Sequence, residues 1–252
     1  MAIRIGQNSK RFIGSLFIIC FVLATASIAN EKQLVQAEDY KNFWLWAGVR
    51  PQPVLKQADE LYVLAGEVSR HTPPRIFAQR SATPRIKGPK VWIVYRVQSI
   101  AWNDDTLKEV LRQVDVWKNN GNNLLGLQID FDAGSKNLRL YAGFLAKVRN
   151  ALPREYALSV TGLLDWTVSG DLAGLDGLAA VVDEVVLQIY QGRKVIPGYE
   201  YYLKQLASMK VPFRIGLLQG GEWQEPPELA ANPYFKGYVV FLLNQSGESI
   251  AQ

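Results

Sequence analysis

Short apolar segments of strand length recur along the chain and alternate with stretches of helical period. Eight segments are rich in the branched and aromatic residues that favour β-structure. Three of the stretches between them repeat apolar positions every three to four residues, as amphipathic helices do. The strand segments are 43–49, 61–68, 91–97, 124–132, 157–163, 184–190, 213–219 and 238–244, and the helical stretches are 105–118, 137–150 and 198–209.

Alternating strands and helices indicate the α/β class with a parallel sheet, and eight such units predict a closed, compact (β/α)8 barrel of the TIM type. An open doubly wound sheet of six strands is the alternative. Within segment 124–132 one face is apolar, whereas Gly126, Gln128, Asp130 and Asp132 share the other. This alternation favours the barrel, in which one strand face packs under helices and the other points inward. We also expect the last helix to be missing.

The N-terminal region is typical of an export signal. Three basic residues precede an apolar run that ends in small residues near Ala26 and Ala29, either of which fits cleavage. We therefore predict a signal peptide over 1–29, followed by a single TIM-barrel domain over 38–246, and a periplasmic or secreted location. An uncleaved membrane anchor is the alternative, whereas cleavage would leave no stable membrane span.

Composition excludes several classes of function. The single cysteine, Cys20, lies in the N-terminal run, and the only histidine is His71, so the mature chain offers no thiolate, zinc site or catalytic triad. The chain has 28 Lys+Arg and 23 Asp+Glu, and three of the basic residues belong to the N-terminal segment. The remaining net charge of +2 argues against nucleic acid as a partner. We expect no metal or cofactor, and the oligomeric state stays open.

Residues that follow the predicted strands are mostly carboxylates, amides and aromatics. In TIM-type barrels the chemistry is carried at this end of the strands. Aromatic faces bind sugar rings, and paired carboxyl groups cleave glycosidic bonds, so the set predicts a polysaccharide or oligosaccharide ligand. The candidates are Trp46, Glu67, Arg96, Gln128, Asp130, Asp132, Asp165, Trp166, Gln188, Tyr190, Gln191, Gln219, Glu222, Trp223 and Asn244.

Four of these residues are the candidate catalytic groups. Asp130 and Asp132 are two positions apart on one strand face, with Cα atoms roughly 6.5 Å apart, so one charge can raise the pKa of the other. We assign Asp132 as proton donor and Asp130 as its electrostatic partner. Glu67 is the candidate second carboxylate and Tyr190 a group that orients the substrate; a salt bridge from Glu67 to Arg96 and simple packing of Tyr190 are the structural alternatives.

Segment 124–132 (LLGLQIDFD) resembles the fourth-strand signature of family 18 glycoside hydrolases, the chitinase-like barrels, which reads Asp-Gly-x-Asp-x-Asp-x-Glu. On that pattern Gly126 matches the glycine and Asp130 matches the third aspartate. Asp132 stands where the family has the glutamate that acts as the acid. Leu125 and Gln128 stand where the first two aspartates belong. A shorter acid and a lost carboxylate depart from the chemistry of that family.

A second part of the same pattern lies further along the chain. LQIYQ resembles the Met-x-Tyr-Asp segment of the sixth strand, with Gln191 in place of the aspartate. The resemblance gives Tyr190 the role of the tyrosine that contacts the acetamido group of the substrate.

Across nearly the whole mature chain the sequence is similar to a bacterial family of unassigned activity, domain of unknown function 3142. The similarity is carried by FWLWAGV, LYVLAGEV, LQIDFD, LSVTGLLDW, DEVVLQIYQG and GYVVFLLN. It implies a barrel of glycosidase type and leaves the reaction open.

Three hypotheses follow. The first is an exported glycoside hydrolase-like enzyme, and the second is a non-catalytic carbohydrate-binding barrel in the cell envelope, a degenerate glycosidase. The third is an envelope assembly or scaffold protein that uses the exterior of the barrel.

Overall fold

Eight parallel strands form a closed barrel in the computed structural model, which describes residues 32–168 and 171–244. Each strand pairs with the next one along the chain, and the first strand also pairs with the last, which closes the sheet. The predicted (β/α) barrel is thereby confirmed. Its strands are β1 Asn42–Leu45, β2 Glu60–Val68, β3 Lys90–Val97, β4 Leu124–Asp130, β5 Ala157–Leu163, β6 Glu184–Gln188, β7 Phe213–Leu218 and β8 Phe235–Phe241.

Four strands have an end two or more residues from its predicted position, and glycines with positive φ accompany two of these differences. One of the four is β4, which ends at Asp130, so that Asp132 follows the strand. The first strand ends at Leu45, because the chain turns through Gly48, which has a φ of +77°. The last strand begins at Phe235 and contains Gly237 at a φ of +91°, opposite a register irregularity in β7. The sixth strand ends at Gln188, and residues 190–191 belong instead to a small hairpin with 194–195.

Helices cover only part of the barrel. They are α1 Asp104–Asn119, α2 Leu138–Ala151, α3 Leu172–Ala179 and α4 Tyr199–Leu203, which continues as a 3-10 turn over Lys204–Ser208. The first two match their predicted stretches, whereas the predicted helix 198–209 is a short α-helix followed by this turn. The predicted absence of a last helix and the predicted signal peptide lie outside the described residues.

The connection between β2 and β3 has no helix among its residues. Strand Ile76–Ala78 runs antiparallel along the upper half of β2 in the place where a barrel of this type usually has a helix. Two further residues, Gln33–Leu34, pair antiparallel with Glu222–Trp223. Within the described residues, no helix is long and apolar enough to cross a membrane.

Two apolar layers hold the barrel. The outer layer lies between strands and helices and includes Leu127 and Ile129 of β4. The inner layer fills the barrel with aromatic side chains, among them Trp44, Tyr62 and Trp92. Gly126 belongs to this packing, because a Cβ atom there would lie 2.7 Å from the ring of Trp92.

A ladder of hydrogen bonds crosses the lower, N-terminal part of the barrel interior. Arg214 donates to Glu184 at 2.7 Å and to Glu60 at 3.0 Å. Glu184 also accepts hydrogen bonds from Tyr62, at 2.7 Å, and from Ser159, at 3.1 Å. Both carboxylates of the lower end, the buried Glu184 and the half-buried Glu60, are therefore paired with Arg214.

Candidate active site

A cavity of about 410 Å³ opens at the C-terminal ends of the strands. In a parallel barrel the side chains that follow the strands converge at this end. Eight of the fifteen predicted site residues line it together. They are Trp46, Arg96, Asp130, Asp132, Asp165, Gln188, Tyr190 and Gln191.

Asp130 forms the buried floor of the cavity. It is only 5% exposed and accepts a hydrogen bond of 2.7 Å from the Thr161 hydroxyl. Burial raises the pKa of Asp130 to about 6, and the charges of Asp132 and Glu67 add to this rise, against the Thr161 hydrogen bond and the Arg96 charge. No ion pair links Asp130 to another described residue, so this carboxyl group holds a proton under mildly acidic conditions.

Asp132 lies at the exposed rim of the same cavity. Its side chain makes no hydrogen bond or ion pair with another described residue.

Tyr190 sits above the end of β6 on the small hairpin. Its hydroxyl accepts a hydrogen bond of 3.3 Å from Gln188, and its ring packs 5.0 Å from that of Phe241. Burial, followed by the charges of Asp130 and Asp132, raises the pKa of Tyr190 well above its ordinary value. The phenol stays protonated and can donate a hydrogen bond.

Trp46 and Arg96 form one wall. The indole of Trp46 packs 4.3 Å from Trp44, and the guanidinium of Arg96 lies 5.8 Å from the Trp46 ring centre. This contact is a cation–π interaction. The wall therefore combines a flat aromatic surface with a cation that opposes the carboxylates.

Asp165 and Trp166 are adjacent in sequence, but only Asp165 lines the cavity. Asp165 lines the cavity, and its Oδ2 accepts a hydrogen bond of 2.6 Å from Ser135. Trp166 is fully buried and donates a hydrogen bond of 2.8 Å to the carbonyl oxygen of Ala133. The predicted position of Trp166 in the pocket is corrected, because its ring belongs to the core.

Glu67 and Gln128 also lie outside the cavity lining. The carboxylate of Glu67 is hydrogen-bonded by Gln98 beside the cavity, and its charge still acts on Asp130. Gln128 is fully buried one layer below Asp130 on the strand, where its amide accepts from Trp44 at 2.8 Å and donates to Ser159 at 2.9 Å. Gln128 is therefore too buried to reach a ligand, contrary to its predicted place in the pocket, whereas the role of Glu67 beside the lining stays a prediction.

Gln219 and Asn244 hold loops together at the barrel rim. The amide of Gln219 exchanges hydrogen bonds of 2.9 and 3.1 Å with that of Gln52. Asn244 accepts from the Arg50 amide at 3.0 Å and donates to the Gly48 carbonyl at 3.0 Å. The structure does not bring these two residues to the cavity.

Glu222 and Trp223 lie on the outer side of the barrel, in the strand pair with residues 33–34. The Trp223 ring stacks on Tyr199 at 5.4 Å and is 7% exposed. Glu222 is exposed on the same strand. Both residues therefore lie away from the cavity, contrary to the prediction. The chain after β7 turns outward through Gly220, which has a φ of +72°.

The sequence prediction missed five residues of the lining. Three apolar ones come from the ends of β5 and of the hairpin, and Tyr202 comes from α4. The sequence analysis predicted a strand over 184–190 and a helix over 198–209, so it anticipated neither the hairpin of residues 190–195 nor the position of Tyr202 at the cavity. The missed residues are Leu163, Leu164, Gly192, Ile196 and Tyr202.

Within residues 32–168 and 171–244, no group of three or more carboxylate, histidine or cysteine side chains is arranged to hold a metal ion.

The fold and the cavity together define a closed eight-stranded (β/α) barrel with three aspartates and an aromatic wall at the C-terminal ends of its strands. The model of one protein family, the domain of unknown function DUF3142, matches residues 89–217, just over half of the chain. The chain belongs to this family.

Among solved structures, the chain is similar to the Bacillus cereus spore cortex-lytic enzyme SleL, with 14% identity and a TM-score of 0.46 over 75% of this chain. It spans about half of that protein, 51%. It is also similar to the chitinase domain of the Clostridium difficile spore coat protein CotE, with 14% identity and a TM-score of 0.46 over 78% of this chain and 68% of that one. A search of curated proteins found no match.

Proposed function

We propose that this protein is an exported glycoside hydrolase that acts on a polysaccharide or glycan in the cavity above β4. The observation that carries the proposal is Asp130, a buried carboxyl group without an ion pair whose pKa is raised to about 6, at the floor of a cavity. Carboxyl groups with raised pKa values in clefts are typical of general acid catalysis.

Asp132 delivers the proton in this proposal. It lines the cavity at its exposed rim, whereas Asp130 is shielded from solvent below it. Burial and, to a smaller extent, the charge of Asp132 raise the pKa of Asp130, so in this proposal Asp130 holds the proton that Asp132 passes on. Asp132 passes this proton to the glycosidic oxygen as the bond from that oxygen to the anomeric carbon breaks. Water then adds its hydroxyl group to the anomeric carbon and returns its other proton to the aspartates.

The rest of the lining supports a sugar ligand. Trp46 offers a flat ring, and the amides of Gln188 and Gln191 can both donate and accept hydrogen bonds from hydroxyl groups. Tyr190 orients the substrate through its protonated hydroxyl. Glu67 lies outside the lining and has no step in this proposal.

Export is supported by the composition of the N-terminal segment, in which basic residues precede an apolar run that ends in small residues. The proposed location is the periplasm or the extracellular space, where envelope polysaccharides are present.

The direct test is the release of reducing ends from exopolysaccharides, peptidoglycan and chitin oligomers by the purified mature protein. Asp132→Asn and Asp130→Asn are assayed beside Asp176→Asn, a matched change of an exposed carboxylate on α3. We expect release by the parent and by Asp176→Asn, and a loss of about 100-fold or more in the two cavity variants. Equal release by all four proteins would refute the assigned roles.

A non-catalytic carbohydrate-binding barrel is the second candidate. It is favoured by the exposed Asp132, whose side chain is not fixed by a hydrogen bond to any described residue. This alternative predicts glycan binding without release of reducing ends, and binding that depends on Trp46 more than on Asp132. The same glycan panel, read by calorimetry, separates the two candidates.

A further inference from the structure

The loop that carries Asp132 is fastened to the end of β5 at two points. Ser135 donates a hydrogen bond of 2.6 Å to Asp165, and Trp166 donates one of 2.8 Å to the carbonyl oxygen of Ala133. Ala133 and Ser135 are both buried, at 1% and 7% exposure. The two bonds thus flank Gly134 and fix the backbone that directly follows Asp132.

Both fastening side chains belong to one rigid turn. Asp165 and Trp166 are consecutive residues of the 3-10 turn Leu164–Thr167, which follows β5 directly. The Trp166 ring is fully buried and packs edge-on against Tyr141 of α2, with ring centres 6.3 Å apart. The fastening points therefore cannot shift without disturbing the core.

Asp132 depends on this backbone, because its own side chain has no hydrogen-bond partner among the described residues. The Ser135 bond has a carboxyl oxygen as its acceptor and is short, which places it among the stronger hydrogen bonds. The other oxygen of Asp165, Oδ1, is buried and has no partner in the described part of the chain. Ser135 is thus the group that satisfies the Asp165 carboxylate.

We infer that Ser135, Asp165 and Trp166 form a clamp that positions Asp132 next to Asp130. This inference rests on the proposed function and extends it, since Trp166 becomes a positioning residue and Asp165 gains a role besides lining the cavity. A misplacement of a catalytic group by about 1 Å can cost up to about 100-fold in rate.

The test compares Ser135→Ala with Thr167→Val in the mature protein. Ser135 is not part of the cavity lining, so its truncation removes a clamp bond and leaves the lining residues in place. Thr167 is the matched control, because it lies in the same turn and its hydroxyl reaches only the Leu164 carbonyl, at 3.5 Å. Ser135→Thr, which retains the hydroxyl, is the rescue variant.

Two readouts are taken for each variant. Hydrogen exchange of the amides in residues 131–137 reports whether the loop is still fastened, without any need for turnover. Steady-state kinetics on the glycan that the parent cleaves give kcat and KM separately.

For Ser135→Ala we expect amide exchange in the loop to be at least 10-fold faster and kcat to fall about 10-fold, with KM changed less than twofold. Thr167→Val and Ser135→Thr should keep the parent values. Exchange rates in Ser135→Ala equal to those of Thr167→Val would overturn the clamp. If the parent cleaves no glycan, the proposed function fails, and the exchange comparison still decides the clamp.

Discussion

Both ends of the barrel interior carry carboxylates. Those at the lower end are paired with a cation, whereas the one buried at the upper end is not. At the lower end, Glu60 and Glu184 share the guanidinium of Arg214 at 3.0 and 2.7 Å. At the upper end, Asp130 is as buried as Glu184 but has only the Thr161 hydroxyl as a hydrogen-bond partner among the described residues. Burial with a partner gives a structural ion network, whereas burial without one gives a carboxyl group that retains its proton.

The largest effect should come from breaking the lower network. Arg214→Met leaves two mostly buried carboxylates without their shared cation, and we expect the free energy of unfolding to fall by about 3 kcal/mol or more. Urea denaturation measures the change. Arg96→Met is the upper-end control, for which a loss below about 1 kcal/mol is expected because Arg96 is exposed. Equal losses in both variants would remove the distinction between the two ends.

The next effect concerns pH. The pKa of Asp130 is about 6 in the folded protein, and about 3.9 is usual for an unfolded chain. The folded state therefore binds this proton more tightly, and stability should fall as pH rises from about 4 to about 6 and remain lower above that range. The Asp130→Asn variant has no carboxyl group at this position, so it should not lose stability for this reason as the pH rises.

Relative to the parent, we expect Asp130→Asn to gain about 2 kcal/mol between pH 4.5 and pH 7.5 in urea denaturation. Arg96, Asp132 and Glu67 are the charged groups that act on Asp130, and they are the same in both proteins. A parent and a variant with parallel pH dependence would contradict a raised pKa at this position.

Trp46 should matter for binding more than for stability. It lines the cavity, whereas Trp223 is buried outside the barrel against Tyr199. We expect Trp46→Ala to weaken glycan binding about 10-fold, which corresponds to about 1.4 kcal/mol. Trp223→Phe should leave the Kd unchanged in the same calorimetric titration. The opposite ranking would move the ligand site away from the cavity.

The smallest effect is expected for an ion pair outside the barrel. Arg112 and Glu109 on α1 meet at 2.7 Å, but their side chains are 59% and 39% exposed. Solvent screens such a pair, so Glu109→Gln should change the free energy of unfolding by less than about 0.5 kcal/mol. A loss close to that of Arg214→Met would show that burial is not what separates the classes of ion pair.

The strand pattern predicted the barrel because the period-two alternation of β4 continues through the whole strand. The same alternation predicted that Asp130 points inward, and its raised pKa follows from that burial. Position at a strand end was a weaker guide. This criterion predicted that Gln128 and Trp166 line the pocket, although both are fully buried. The position of a residue near a strand end does not show how deep its side chain lies, or whether a neighbouring group already forms a hydrogen bond with it.

Loop residues were the hardest to place. Glu222 and Trp223 follow a barrel strand, but the turn at Gly220 takes them to the outside. Tyr202 lines the cavity from α4, a position that the helical pattern of 198–209 does not single out. The direction of the Gly220 turn and the placement of α4 at the cavity depend on contacts between segments far apart in the chain. A local sequence pattern therefore does not reveal them.

The most direct test of the difference between the two ends is the titration of the Asp130 carboxyl carbon by NMR in protein labelled with 13C-aspartate. Asp130→Asn identifies the resonance by its loss. A midpoint near pH 6 is the result that we predict for a buried carboxyl group without an ion pair. A midpoint near 4, the usual value for an aspartate in water, would contradict the assignment of this end of the barrel as the reactive one.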